Sequence, residues 1–164
     1  MKQQSAAFTT LYNQYSGSIY KLCLGYTGDA SLAQDMLQET FIRVWNNMQD
    51  FRGDAKWSTW IFRIAVNTCL TWLRKKKEAL VAADSEALAL ISEETSNSEE
   101  QVQLLYTCIS RLAETDRLII TLVLEEKPYD EIADITGITE NNLRVKIHRI
   151  KKQLSEIYNS YERF

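Results

Sequence analysis

Between Leu143 and Lys152 the chain carries five basic residues (Arg144, Lys146, Arg149, Lys151, Lys152) and no acidic one, although its 164 residues sum to a formal charge of -3. Positive charge concentrated in this way suits contact with a polyanion better than general solubility. Leu143, Ile147, Ile150, Leu154 and Ile157 recur at steps of four and three, which makes one apolar stripe for packing. At about 100° per residue, Asn141, Val145, His148 and Lys152 fall opposite that stripe, with Arg144, Arg149 and Lys151 on its flanks. The same pattern also fits a solvated basic face, and spacing alone does not separate the two.

A second candidate chemistry is the carboxylate pair Asp35 and Glu39, one helical turn apart and on the same side as Gln38 and Arg43. Carboxylates at this spacing serve docking or solvation more often than acid–base catalysis. No other group supports catalysis: there is one histidine, His148, no phosphate-cradling glycine loop and no His/Cys cluster. The expectation is a protein with no catalytic residues, no metal and no cofactor. Cys23, Cys69 and Cys108 are far apart and odd in number, so they are expected as buried thiols in a reducing cytosol.

These residues need elements to hold them. With one proline and five glycines, and few alternating β-branched runs, the chain is expected to be all-α. Residues 5 to about 26 form a tyrosine-rich helix that ends at Gly28, and Asp29 caps the next helix, from about Ala30 to Met48. That helix buries Ala33, Leu37, Phe41, Val44 and Met48. Asp50 to Lys56 is a turn-rich break centred on Gly53-Asp54. A third helix follows, from about Trp57 to Lys77, in which most tryptophans are expected to be core. Arg74 to Lys77 would complement the negative end of its dipole. An exposed aromatic near Arg52, Lys56 and Arg63 would instead suit stacking on unpaired bases.

At Glu78 the character changes. Residues 1–77 carry ten basic and five acidic residues, net +5, whereas residues 78–100 carry seven acidic residues and no basic one. The chain therefore divides into a first domain, 1–78, an acidic linker, 79–100, and a second domain, 101–164. In the second, Val102, Leu105, Ile109 and Leu112 mark a fourth helix. Leu118, Ile119, Leu122 and Val123 mark a fifth, the two forming a floor. Pro128 opens a short helix, Gly137 makes a sharp turn and Thr139 caps the basic helix, with Glu140 at its positive end. A short helix, a glycine turn and a helix basic on its outer face make a helix-turn-helix reader of duplex DNA. No apolar run is long enough to span a membrane. The N-terminus lacks a signal-peptide core, so a cytoplasmic protein is expected.

Two blocks, DMLQETFIRVWNNMQDFRGDAKWSTWIFRIAVNTCLTWLRKKK and YDEIADITGITENNLRVKIHRIKKQL, then carry a resemblance. The chain resembles the extracytoplasmic-function (ECF) sigma factors of bacterial RNA polymerase. The family's D-x-x-Q-E-x-F-x-x-x-W core appears as Asp35, Gln38, Glu39, Phe41 and Trp45. This resemblance implies two helical domains, sigma region 2 and a region 4 helix-turn-helix. It implies that Asp35, Gln38, Glu39, Arg43 and Trp45 bind core RNA polymerase. Arg52, Gly53, Asp54, Lys56, Trp60, Arg63, Asn67 and Arg74 would hold the separated strand at the minus-ten element. Thr139, Glu140, Asn141, Asn142, Arg144 and Val145 would face base edges of the minus-thirty-five element. Lys146, His148, Arg149 and Lys151 would position its phosphates. Leu143 to Lys146 stands where many relatives have a small residue and serine. An anti-sigma factor is implied as a further partner. The competing readings are a stand-alone helix-turn-helix regulator, which would leave the N-terminal half unexplained, and a helical adaptor with solvated basic faces.

Overall fold

The computed structural model describes residues 1–83 and 97–162. Seven α-helices fill them: α1 (Lys2–Thr27), α2 (Ala30–Asn47), α3 (Trp57–Ala83), α4 (Asn97–Ser110), α5 (Glu114–Leu124), α6 (Tyr129–Thr136) and α7 (Glu140–Glu162). A short 3-10 turn, Met48–Asp50, follows α2. The all-α expectation holds among the described residues.

Local signals set most helix ends. Gly28 takes φ 69° and donates to the Leu24 carbonyl, a conformation that costs glycine little. Asp29 accepts from the Leu32 amide at 2.9 Å, satisfying one of the donors that a helix start leaves unpaired. Thr139 accepts from the Asn142 amide through its hydroxyl at 3.4 Å, as its composition predicts.

Tertiary structure overrides the expectations elsewhere. α3 continues to Ala83, so Arg74 to Lys77 lie inside the helix and its last turn has no basic residue. The dipole role expected for them does not arise. Lys77 instead reaches Glu114 of α5 at 3.0 Å. Of the expected linker, residues 79–83 end α3 and residues 97–100 begin α4; residues 84–96 lie outside the described residues. Pro128 stands one place before α6, as its N-cap. Leu70 of α3 and Val102 of α4 are apolar but exposed.

α1, α2 and α3 pack into a bundle, and α7 lies across α4, α5 and α6. One continuous core joins them, from Leu22, Phe41 and Phe62 to Ile119, Ile132, Leu143 and Ile147. The two halves meet where α1 crosses α5 and α3 meets α6. Arg117 of α5 donates to the Tyr26 carbonyl at 3.1 Å and to the Leu112 carbonyl at 2.9 Å. Ser58 and Thr59 of α3 donate to the Glu131 carboxylate of α6 at 2.8 and 3.3 Å. Arg63 donates to the Asp134 carbonyl at 2.8 Å.

All three cysteines are buried free thiols. Cys69 lies 3.9 Å from Cys23, and this contact together with burial raises its pKa well above the ordinary thiol value. The Cys69 thiol therefore stays protonated and unreactive.

Tyr26 is buried at the junction of the two halves, and its hydroxyl has no hydrogen-bond partner among the described residues. Burial, with the nearby Cys69 and Glu114, pushes the phenol above its ordinary range. An unpaired buried hydroxyl costs about 1–3 kcal/mol. Tyr26→Phe is therefore expected to keep the fold and raise its stability by roughly 1 kcal/mol, measured as a higher urea midpoint at unchanged slope.

Candidate nucleic-acid and polymerase interface

On α2, Asp35 and Gln38 are exposed and Glu39 and Arg43 half-exposed. Arg43 donates to Glu39 at 2.9 Å, so the pair forms a fixed polar edge. Ile42 lies between them, three residues after Glu39 and four after Gln38, and is 55% exposed. Sequence reading passed over it because one apolar residue on a polar face carries no periodic signal. The helical positions of its neighbours were the clue. Trp45 is 38% exposed, but its ring leans back on α1, meeting Phe8 edge-on at 5.1 Å.

Beside this face, α2 and α3 enclose a cleft of about 350 Å³ lined by Arg43, Asn47, Asp50, Trp60, Ile64 and Asn67. The geometry brings together Trp60 and Asn67, both expected at the minus-ten element, and adds Asn47, Asp50 and Ile64. At the mouth of α3, Phe51 stacks on Trp57 with centroids 3.7 Å apart, and Trp60 lies 5.5 Å from Trp57, nearly perpendicular. Trp57, Trp60 and Trp72 are half-buried, which corrects the expectation that most tryptophans are core. A half-buried indole that lines a cleft can serve as a stacking platform for an unpaired base. Phe51 is a further member that sequence reading missed, since its role depends on folding back onto α3.

The other residues expected with them are placed apart. Arg52, Gly53 (φ 76°) and Asp54 form the exposed loop. Asp54, Lys56 and Arg63 line a second cleft shared with Asp130, Glu131 and Asp134 of α6. Arg74 is exposed about 10 Å further along the helix axis than Asn67, at 1.5 Å per residue.

α7 buries Leu143, Ile147 and Ile150 against the floor. Its outer face shows Asn141, Asn142, Arg144, Val145, His148, Arg149 and Lys151 to solvent. The Arg144 guanidinium is steadied by Glu140 at 2.9 Å and lies 6.0 Å from the Tyr129 ring centre of α6. Lys146 turns inward and pairs with Asp116 at the start of α5, 3.0 Å away. Gly137 (φ 76°) closes α6, completing the helix-turn-helix.

Comparison with known proteins agrees with this arrangement. Sigma-70 region 2 matches residues 11–79 and Sigma-70 region 4 matches residues 102–154. The ECF RNA polymerase sigma factor SigW of Bacillus subtilis is 32% identical, with 95% of this chain and 93% of that protein covered. SigM of the same organism is 29% identical over 91% of this chain and 93% of its own length. The sigma-E factor of Escherichia coli K12 is 30% identical over 93% of this chain and 87% of its own. Among solved structures, the sigma factor RpoE in complex with the anti-sigma factor NepR from Bartonella quintana superposes with a TM-score of 0.84 at 17% identity, covering 93% of this chain and 97% of that one. CnrH in complex with the cytosolic domain of CnrY gives 0.73 at 17% identity, over 95% and 90%. A stand-alone regulator would account for the C-terminal match alone, and that reading is not favoured. The chain belongs to the ECF sigma factors, alternative initiation factors that direct promoter-specific transcription.

Proposed function

We propose that the outer face of α2 docks on core RNA polymerase, that the cleft between α2 and α3 captures an unpaired base of the minus-ten element, and that α7 reads the minus-thirty-five element as duplex. The observation that carries this reading is the cleft itself. Arg43 forms one of its walls and is also part of the docking face, so polymerase binding and strand capture share one helix. Unstacking a base costs a few kcal/mol, which stacking on Trp60 and hydrogen bonds to Asn67 and Asn47 would offset. The activity is binding and strand capture rather than catalysis. The domains are assigned as 1–78 and 101–164, with 79–100 between them.

Among the described residues no helix is long and apolar enough to cross a membrane, and we place the protein's action in the cytoplasm. An anti-sigma factor is proposed as its regulator. Support comes from the likeness to the sigma factor RpoE solved in complex with the anti-sigma factor NepR.

The test is run-off transcription with core polymerase on a genomic promoter library, with and without the protein. Transcripts that need both components are expected; their absence would sink the reading. In the same assay Arg144→Glu is expected to lower promoter-specific transcription roughly tenfold, because a bidentate base contact is worth about 1–3 kcal/mol. Its binding to core polymerase should be unchanged. Equal loss of both activities would mark a folding defect instead.

A further inference from the structure

From Asn141 to Lys152 the exposed residues are Asn141, Asn142, Arg144, Val145, His148, Arg149, Lys151 and Lys152. Every one but Val145 offers a hydrogen bond or a charge. Val145 is 53% exposed, while its neighbours Leu143 and Ile147 are fully packed, so the core gains little from it. A β-branched residue is also a poorer helix former than the lysines and arginines around it. Its position is central: Asn141 and Asn142 lie one turn before it, His148 and Arg149 one turn after.

Across the major groove the base edges carry a single apolar group, the C5 methyl of thymine. We propose that Val145 is a specificity-determining residue of the minus-thirty-five element, packing its isopropyl group on one thymine methyl and so selecting thymine over cytosine at that step. The inference rests on the reading of α7 as the duplex-reading helix and names the chemical group it reads. Asn and Arg side chains on either side then fix the register in which the two apolar groups meet.

The test uses holoenzyme reconstituted from core polymerase and the full chain, on a promoter recovered from the run-off library. Each thymine of the minus-thirty-five duplex is replaced singly by deoxyuridine, which removes the methyl and leaves pairing intact. One replacement is expected to weaken promoter binding about fourfold, the effect of one buried methyl. Val145→Ser should weaken binding to the unmodified promoter by a similar factor and remove the sensitivity to deoxyuridine at that position only. No sensitive thymine with the unaltered protein would overturn the proposal without recourse to any variant. So would sensitivity that persists in Val145→Ser, which would point to another side chain, or to a protein partner as the group that covers Val145. If the library yields no dependent transcripts at all, it is the initiation-factor reading that fails, a separate result.

Discussion

Ile42→Glu is expected to reduce binding to core RNA polymerase by at least about thirtyfold, the loss typical of an interface hot spot, while leaving the fold intact. The physical reason lies in what surrounds Ile42. Asp35, Gln38 and Glu39 precede Ile42 by one to two turns on the same face of α2 and Arg43 follows it, and Ile42 among them is more than half exposed. Rim charges mainly set association rate and specificity, whereas a central apolar group that becomes fully desolvated supplies affinity. Asp35→Ala and Glu39→Ala should therefore cost less than Ile42→Glu and should act mostly on the association rate, with an effect that shrinks as salt rises. Removing Glu39 also frees Arg43 from its 2.9 Å partner, and Arg43 lines the cleft. Glu39→Ala is thus expected to affect both docking and strand capture, which Asp35→Ala should not. Fluorescence anisotropy of labelled protein against core polymerase, at two salt concentrations, checks the ranking. If Ile42→Glu binds as tightly as the parent chain, α2 does not dock through this face.

What the sequence disclosed about fold and site follows the range of the forces involved. The apolar stripe of α7, the glycine turn, the Asp29 cap and the Thr139 cap are local, each set by residues within about a turn of one another, and each was legible. The family blocks placed Asp35, Gln38, Glu39, Trp60, Asn67 and the α7 residues on their elements. Features that need a distant partner were not legible. Lys146 is chemically an ordinary phosphate-contacting lysine until Asp116, thirty positions earlier, is brought beneath it. Arg63 belongs by type with the strand-holding residues, yet it bonds a carbonyl of α6. Lys77 was read as the end of α3 because the charge changes after it. However, Glu78, Ala79 and Leu80 are good helix formers, and no glycine or proline stops the helix there. Size alone predicts the tryptophans in the core, but Trp60 is half-buried and lines the cleft between α2 and α3. A composition shift marks a change of environment, not necessarily a helix end.

Gly25→Ala is expected to destabilise the protein by about 2 kcal/mol, and the same substitution should be neutral or stabilising when Thr121 is alanine. Gly25 lies buried in α1 where α5 crosses it, and a Cβ there would run into the Thr121 hydroxyl. That hydroxyl cannot simply turn away: Thr121 is buried and donates to the Arg117 carbonyl at 2.7 Å. Accommodating the methyl would push α1 and α5 apart, and overpacking of this kind costs typically about 1–3 kcal/mol. It would also pull on Arg117, whose side chain bonds the Tyr26 carbonyl across the same crossing. Replacing Thr121 with alanine removes the obstructing atoms. Gly25→Ala then shows only its local effect, which in a helix favours alanine by about 0.5–1 kcal/mol. The sign of the Gly25→Ala effect should therefore reverse between the two backgrounds, a coupling that a general defect in α1 would not produce. Urea unfolding of the four proteins of this cycle measures it. Additive changes across the cycle would mean that the crossing is not packed as tightly as the backbone geometry requires. A reversal would identify the missing side chain of Gly25 as what allows the N-terminal and C-terminal halves to share one core.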